Sequence, residues 1–510
     1  MRRLFEVLFI VLLSMCSCSK NKSDYPFSQL SYDELDSLRN NDYTVSNRRV
    51  RSFIDSFRIA ERDTDYIDVL TNRYYAERHP YLWINKWGTD LRCDTVLEWL
   101  ANVNKLGLPE KKFYLKQIRQ SLERVRNLDF DKTFTASRTM ATLEYYLTKS
   151  YMRYSSGQRF GFVNPNKLFN RMDKVEKDST NSPYKTLFDI PIDLVNKDFF
   201  IKALDCIQKA QVNTFMTAVQ PTSSLYEKIY NTIQNTPQNS ERYKVLIVNL
   251  ERSRWRMHES EDKKYVVVNL PSQQLMAMEQ GASTLNMNVC VGSPEHQTPM
   301  LTSRIAYLEL NPYWIIPQSI VKRDIIKHVG DTAYFSSKRF KIVDRAVGNF
   351  ISPLDVTSSM LLSNKYLVRQ DKGEDNSLGR MIFRFPNPFS IYMHDTNEHD
   401  VFSQNWRTVS HGCIRLEKPF DLALFLLKDK DDIYIDRIRL ALDMEPLTDE
   451  GHELKENHHT KKLKRCDFKP TIPLFVIYFT CYPDVSGKLT YYPDIYKYDE
   501  PIWTHLNAEK

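Results

Sequence analysis

Glycine is scarce in this chain, 13 in 510 residues, against 29 tyrosines and 27 phenylalanines. So little glycine argues against a glycine-rich nucleotide cradle, and the aromatic residues point to broad packing surfaces. Long basic blocks are missing too. The net charge of +7 is spread along the chain, which serves solubility and makes nucleic acid a poor partner. No Cys-X-X-Cys pair and no Cys/His cluster has zinc-ligand spacing, so no metal centre is expected. His452, His458 and His459 lie in a polar, Lys/Glu-rich stretch and are read as solvated loop residues. A dense disulfide framework is not expected at this size, and most cysteines read as buried small hydrophobes. Hydrophobic residues make up 42% and charged residues 26%, the balance of a globular protein with room for two or three domains.

An apolar run long enough to span a bilayer is also lacking. The longest near the start, Leu4 to Leu13, follows Arg2 and Arg3 and precedes Ser14-Met15-Cys16-Ser17-Cys18-Ser19. That order is a secretory signal, and a cysteine among small residues directly after it fits a bacterial lipoprotein cleavage site. Cys18, preceded by Ser17, suits lipidation better than Cys16. The expectation is an exported lipoprotein: signal 1–18, tether 19–50 with a first helix near Tyr32 to Asn40, and the folded protein facing the periplasm.

Beyond the tether the pattern is α+β. Residues 51–240 read as helical, with apolar stripes over Thr95–Leu106 and Ala136–Ser155, and Asn164-Pro165 is a turn signal. A linker-like Thr236-Pro237-Gln238-Asn239-Ser240 precedes a change of period. Residues 241–440 then read as β-rich, with strands at Tyr265–Leu270, Gln274–Met278, Leu285–Val291, Arg304–Leu310, Arg380–Phe385 and Ser390–His394. A helix is expected over Ile320–His328, another over Phe420–Leu427, and a short strand at Ile433–Ile435. Residues 441–470 read as flexible, and 471–510 as a closing strand and tail on the β-rich domain.

Chemistry concentrates in Ser410-His411-Gly412-Cys413-Ile414-Arg415. A second histidine, His394, precedes Cys413 in Tyr392-Met393-His394-Asp395-Thr396. A thiol of pKa about 8.5 is mostly protonated at neutral pH, so a nearby imidazole that takes its proton makes it a nucleophile. Gly412 lets a substrate carbonyl approach the backbone, and the amides of Gly412 and Cys413 are expected to face a developing oxyanion. Arg415 is suited to a substrate carboxylate. Alone, Cys413 reads as a packing residue and His394 as a satisfied core histidine; together they read as nucleophile and base.

This constellation resembles the active-site signature of the YkuD-type L,D-transpeptidases. More of the chain is similar to the large, YcbB-like branch: Asn249–Trp255, Val291-Gly292-Ser293-Pro294 with Thr298-Pro299, Leu310–Trp314 with Pro317, Leu378-Gly379-Arg380, Phe385-Pro386-Asn387, Val476–Thr480 and Asp494-Ile495-Tyr496. The resemblance implies a helical scaffold domain followed by a β-rich catalytic domain, with a substrate-capping insertion at about 318–378, near Asn364. A wall-binding module common in that branch is not visible, because residues 200–240 leave no room for it. Arg415 stands where many smaller relatives have Asn.

The resemblance also implies a mechanism. Cys413 attacks a tetrapeptide stem, D-Ala leaves, and a second stem's diamino acid resolves the thioester into a 3→3 cross-link. His394 is the base, oriented by the Asp395 carbonyl. His411 lines the site, Ser410 supports it, and Trp314 and Tyr392 border the substrate groove. No metal or organic cofactor is implied, and carbapenem-type inhibitors are expected to acylate Cys413. An L,D-carboxypeptidase or endopeptidase, attachment of an envelope protein to the wall, and a non-catalytic peptidoglycan-binding protein remain alternatives.

Overall fold

The computed structural model describes residues 42–61, 65–85, 88–174, 184–256, 263–363, 365–457 and 461–508. Cys16, Cys18, the helix expected near Tyr32, Asn364, His458 and His459 lie outside them. No helix among the described residues is long and apolar enough to cross a membrane. The chain divides into two compact units: residues up to Asn164 with 192–258 and 498–510, and residues 165–191 with 259–497.

The first unit is helical. Its elements are α1 (Asn47–Ala60), α2 (Tyr66–Ala76), α3 (Leu91–Leu100), α4 (Leu115–Asn127), α5 (Ala136–Phe160), α6 (Lys197–Gln208), α7 (Val212–Ala218), α8 (Ser224–Gln234) and α9 (Glu241–Arg254). Helix α5 is the axis. Thr135 caps it through the Arg138 amide, and it is buried on nearly every side, so its Met140, Leu143 and Leu147 meet neighbours rather than form one stripe. Tyr145 and Tyr151 are fully buried in this core. Glu144, also fully buried, accepts from the backbone amides of Leu82, Trp83 and Ile84 at 2.7, 2.9 and 3.3 Å and from the Tyr75 hydroxyl at 2.8 Å. An otherwise irregular segment is thereby fixed to the central helix.

The tail departs from expectation. Its helix Asp499–Asn507 packs on α9 in the helical unit, tied by an Arg252–Asp499 ion pair of 2.6 Å, rather than on the β-rich domain. Helix α9 likewise belongs to the helical unit, although 241 was expected to open the catalytic domain.

The second unit is built on strands β1 (Lys264–Asn269), β2 (Gln274–Glu279), β3 (Ala282–Gly292), β4 (Met300–Leu310), β5 (Trp314–Ile315), β6 (Phe340–Asp344), β7 (Phe350–Ile351), β8 (Tyr366–Gln370), β9 (Met381–Arg384), β10 (Met393–His394), β11 (Thr408–Ser410), β12 (Ile414–Leu416) and β13 (Arg465–Ile477). The main sheet runs β9-β10-β12-β3-β2-β1-β13-β4, with β11 beside β3 and Phe188–Asp189 beside β4. Strand β9 also pairs with β4, so the sheet closes on itself and that edge is covered. Alternating apolar residues make this possible: Val266, Val268, Leu474 and Val476 are all fully buried.

A separate four-stranded sheet, β7-β6-β8-β5, lies within 314–370 and has its own apolar core around Val321, Phe335, Ile342 and Val368. The helix expected at Ile320–His328 forms as Gln318–Arg323 followed by a tighter turn over Ile325–His328.

Two further expectations are corrected. Ile433–Ile435 is helical, inside Asp432–Ala441, because Asp431 caps the Tyr434 amide at 2.8 Å and outweighs the local β-branching. The 441–470 segment holds a Thr448-capped helix, Asp449–Glu456, which includes His452, and the start of β13. The buried Asp436 accepts from Leu447 and Thr448 and anchors the start of that helix.

Candidate active site

Strands β10 and β12 run parallel, with Met393 opposite Ile414 and His394 opposite Arg415. The Ile414 amide donates to the Tyr392 carbonyl at 3.1 Å, which sets Cys413 beside Tyr392. Met393 and Ile414 are fully buried in the sheet core. Alternation therefore puts Tyr392, His394, Cys413 and Arg415 together on the opposite face. The register, more than the motif, makes one site of residues nineteen positions apart.

His394 is buried, with Nδ1 2.5 Å from the Asp395 carbonyl oxygen. A carbonyl only accepts, so Nδ1 carries the hydrogen and Nε2 of the neutral ring holds the lone pair. Asp395 is itself held: its carboxylate accepts from the Arg380 and Thr396 amides, each at 2.8 Å. Burial first, and then the positive Arg415, push the His394 imidazole down to about 3, against the pull of the Asp395 and Leu378 carbonyls. The base is thus neutral across the physiological range.

Cys413 is half-buried and free. Burial raises its thiol, while the Tyr392 backbone and hydroxyl favour the thiolate. The resting pair is therefore thiol and imidazole rather than thiolate and imidazolium. The Tyr392 hydroxyl interacts with both the Cys413 thiol and Trp314, and burial, then Cys413, hold it well above the ordinary phenol range. Tyr392 therefore stays a neutral phenol, which accepts from the Trp314 indole and can donate a hydrogen bond toward Cys413. The Arg384 guanidinium lies 4.5 Å from the Tyr392 ring centre.

The turn before Cys413 is braced from within. Ser410 Oγ donates to the Cys413 carbonyl at 2.6 Å and accepts from the Gly412 amide at 3.1 Å. That corrects one expectation: the Gly412 amide is spent on Ser410 and does not face a substrate. The Cys413 amide makes no hydrogen bond among the described residues. Gly412 has φ +106°, a region L side chains avoid.

A second brace was not visible as such in the sequence. Thr298 Oγ1 donates to the Gly412 carbonyl and accepts from the Gly292 amide, both at 2.9 Å. The Tyr496 hydroxyl accepts from the Thr298 amide at 3.2 Å and donates to the Gly292 carbonyl at 2.7 Å. Gly292 is obligatory, since a Cβ there would sit 2.0 Å from the His296 carbonyl oxygen. The motifs around Gly292, Thr298 and Tyr496 thus converge behind the Cys413 turn.

The remaining expected residues sit further out. Arg415 pairs with Glu398 at 2.5 Å, so an incoming carboxylate would have to displace that exposed side chain. His411 is exposed and lies 4.7 Å, ring to ring, from His296. Cys93, Cys206, Cys290 and Cys466 are buried free thiols, as expected of packing residues, and Cys481 is buried as well. No group of His, Cys, Asp or Glu among the described residues is arranged to hold a metal ion.

A thiol beside a neutral, carbonyl-oriented imidazole on adjacent strands is the arrangement of a thiol enzyme with a histidine base. Two family models match parts of the chain. Residues 263–435 match the YkuD L,D-transpeptidase catalytic domain, and residues 69–232 match the Scaffold domain. The chain therefore carries a YkuD-type L,D-transpeptidase catalytic domain behind a scaffold domain, the YcbB-like architecture.

A Haemophilus influenzae protein provisionally named an L,D-transpeptidase is 28% identical over 318 residues, 60% of this chain. The match spans 59% of that relative's length. Among solved structures, an L,D-transpeptidase from Mycobacterium smegmatis is 15% identical over 32% of this chain and 53% of its own, with a TM-score of 0.18. The Ldtfm–avibactam carbamoyl enzyme is 12% identical over 30% and 40%, with a TM-score of 0.17. Likenesses this slight carry no argument about mechanism.

The Thr298 brace has a measurable consequence. Thr298→Val leaves the Gly412 carbonyl and Gly292 amide without their shared partner, at about 1–3 kcal/mol for each buried group. Displacing the turn is expected to slow acylation of Cys413 by a carbapenem about tenfold to a hundredfold. Thr298→Ser, which keeps the hydroxyl, should restore most of the rate in the same stopped-flow assay.

Proposed function

We propose that this protein is a peptidoglycan L,D-transpeptidase, with Cys413 as nucleophile and His394 as general base. The observation that carries the reading is the β10–β12 register, which sets the thiol on the same sheet face as an imidazole whose Nδ1–H is engaged by Asp395. The lone pair on Nε2 is left to take a proton.

As Cys413 Sγ attacks the carbonyl carbon before the terminal D-Ala of a tetrapeptide stem, its proton passes to His394 Nε2. The Cys413 amide stabilises the oxyanion, an effect worth about 3–4 kcal/mol at comparable sites. The C–N bond then breaks, His394 returns its proton to the leaving amine, and D-Ala departs from a thioester. The side-chain amine of a second stem's diamino acid attacks the thioester. Its proton goes to His394 and onward to the departing thiolate, leaving a 3→3 cross-link and free Cys413. His411, Arg415 and Ser410 border this path, as do Tyr392 and Trp314. Trp314 belongs to the small sheet of 314–370, the segment suited to cover the thioester from water.

Export to the cell envelope and anchoring through Cys18 complete the proposal, on the strength of the leader's residue pattern. Incubation with disaccharide-tetrapeptide, read by mass spectrometry, tests the function. The wild type should yield a cross-linked dimer with loss of one D-Ala, and Cys413→Ala should not. A tripeptide without dimer would instead assign an L,D-carboxypeptidase.

A further inference from the structure

The helical unit contains a cavity of about 420 Å³ that the catalytic site does not use. Its size falls within the roughly 300–1,000 Å³ of small-molecule sites. Helices α3, α5, α7 and α8 wall it, all within that unit. Its floor is aromatic: Tyr154 and Tyr226 are buried, and Trp99 and Tyr230 are half-exposed at the sides. The Tyr226 and Tyr230 rings are stacked, 9° from parallel with centres 6.2 Å apart. The indole of Trp99 is held in place by donating to Asn213 Oδ1 at 2.9 Å.

The polar lining is of one kind, planar carboxamides: Asn102 and Asn213 at the exposed rim, Gln220 and Gln158 deeper in. Gln158 is fully buried, and its Oε1 is fixed by the Arg254 guanidinium at 3.0 Å. Arginine only donates, so the carboxamide cannot be turned round, and Nε2 is left as a buried donor that meets the Tyr154 hydroxyl outside good hydrogen-bond geometry. A buried unsatisfied N–H is costly unless something fills the site and accepts from it. Among the residues lining the cavity Glu98, at the exposed rim, is the charged one, and no lysine or arginine faces it. That excludes phosphate and carboxylate ligands as the main occupants.

Aromatic faces with carboxamide edges and no cation suit a neutral aminosugar. Its ring offers apolar C–H faces to the aromatic side chains. Its hydroxyl and acetamido groups match amide donors and acceptors such as those of Asn102, Asn213 and Gln220. We infer that the helical unit carries a glycan-binding site for N-acetylated hexosamine chains, formed by Trp99, Tyr230, Tyr226 and Gln158. The inference rests on the proposed function only for the identity of the polymer: the cavity would grip the sugar backbone whose stem peptides the other unit joins.

The test uses the full chain and tetra-N-acetylchitotetraose, a neutral oligosaccharide without stem peptides, titrated by calorimetry. Saturable binding is expected in the wild type. Trp99→Ala and Tyr230→Ala should each weaken it by at least about tenfold, and maltotetraose, without acetamido groups, should bind at least about tenfold more weakly. Should Trp99→Ala lower the thermal midpoint, the half-exposed Tyr230 and the rim Asn102→Ala decide the question. Absence of binding by the wild type at millimolar sugar overturns the inference, as does equal binding by the folded variants. Cys413→Ala is expected to bind as the wild type does. Glycan binding without any Cys413-dependent product would leave this site standing and remove the transpeptidase reading.

Discussion

Acylation of Cys413 by a carbapenem should slow by about a hundredfold to ten-thousandfold when His394 is replaced by glutamine, the range spanned by a positioned general base. The expectation follows from the protonation states. With the imidazole pushed down to about 3 and the thiol pushed up, neither group is charged at neutral pH, so the proton must move during attack. A glutamine amide cannot take it. The pH dependence separates this arrangement from a preformed ion pair. The wild-type rate should be flat between about pH 5 and pH 8, with no acid limb near the ordinary histidine value of about 6.5. A limb at that pH would mean the imidazole titrates freely and is not buried as described. Stability carries the same signature. Because the folded value lies below the unfolded one, the contribution of neutral His394 is full above about pH 6.5 and is lost as pH falls towards 3. His394→Gln should remove that part of the acid sensitivity.

The largest expected loss of stability lies in the helical unit. Glu144→Ala removes one carboxylate that serves three buried amides and a buried hydroxyl. Each abandoned donor costs about 1–3 kcal/mol, and local relaxation recovers part of it, so a loss of about 3–5 kcal/mol is expected in urea unfolding. Glu144→Gln keeps one carbonyl acceptor but places an NH2 against the amides, and should fall between that variant and the wild type. A loss below about 1 kcal/mol for the alanine variant would show that Leu82–Ile84 is held by packing, with Trp83 as its anchor, rather than by the carboxylate.

Legibility in the sequence tracks the distance over which each feature is decided. The strands of the closed sheet were readable because Val266–Val268 is β-branched and Leu474–Val476 continuously apolar, and the pairing of the Cys413 and His394 segments because thiol and imidazole fall in two short motifs. The Asp395 carbonyl was placed correctly beside His394, one residue away. Residues 432–441 were misread where Ile433 and Ile435 suggest a strand, although Asp431 followed by Asp432 is a helix-start signal that points the other way. The Gly412 amide was assigned to substrate because its partner, the Ser410 hydroxyl, was read only as general support; a serine two residues before a glycine is itself a turn signal. The motifs that hold Thr298 and Tyr496 are legible, but nothing local shows that both brace the Cys413 turn. They meet Gly412 and Thr298 across 114 and 198 residues, and only the closed sheet brings them together. The carboxamide-lined cavity is assembled from four helices and is equally invisible one residue at a time.

The decisive measurement is direct. The purified chain is mixed with disaccharide-tetrapeptide whose diamino-acid side-chain amine has been acetylated, so that it can donate but not accept, quenched in acid within seconds, and digested for peptide mass spectrometry. A stem tripeptide in thioester linkage on the peptide containing Cys413, with one equivalent of D-Ala released, is the expected result. Turnover with an unmodified Cys413 peptide, or product formation that survives Cys413→Ala, would contradict the assignment of this thiol as the nucleophile.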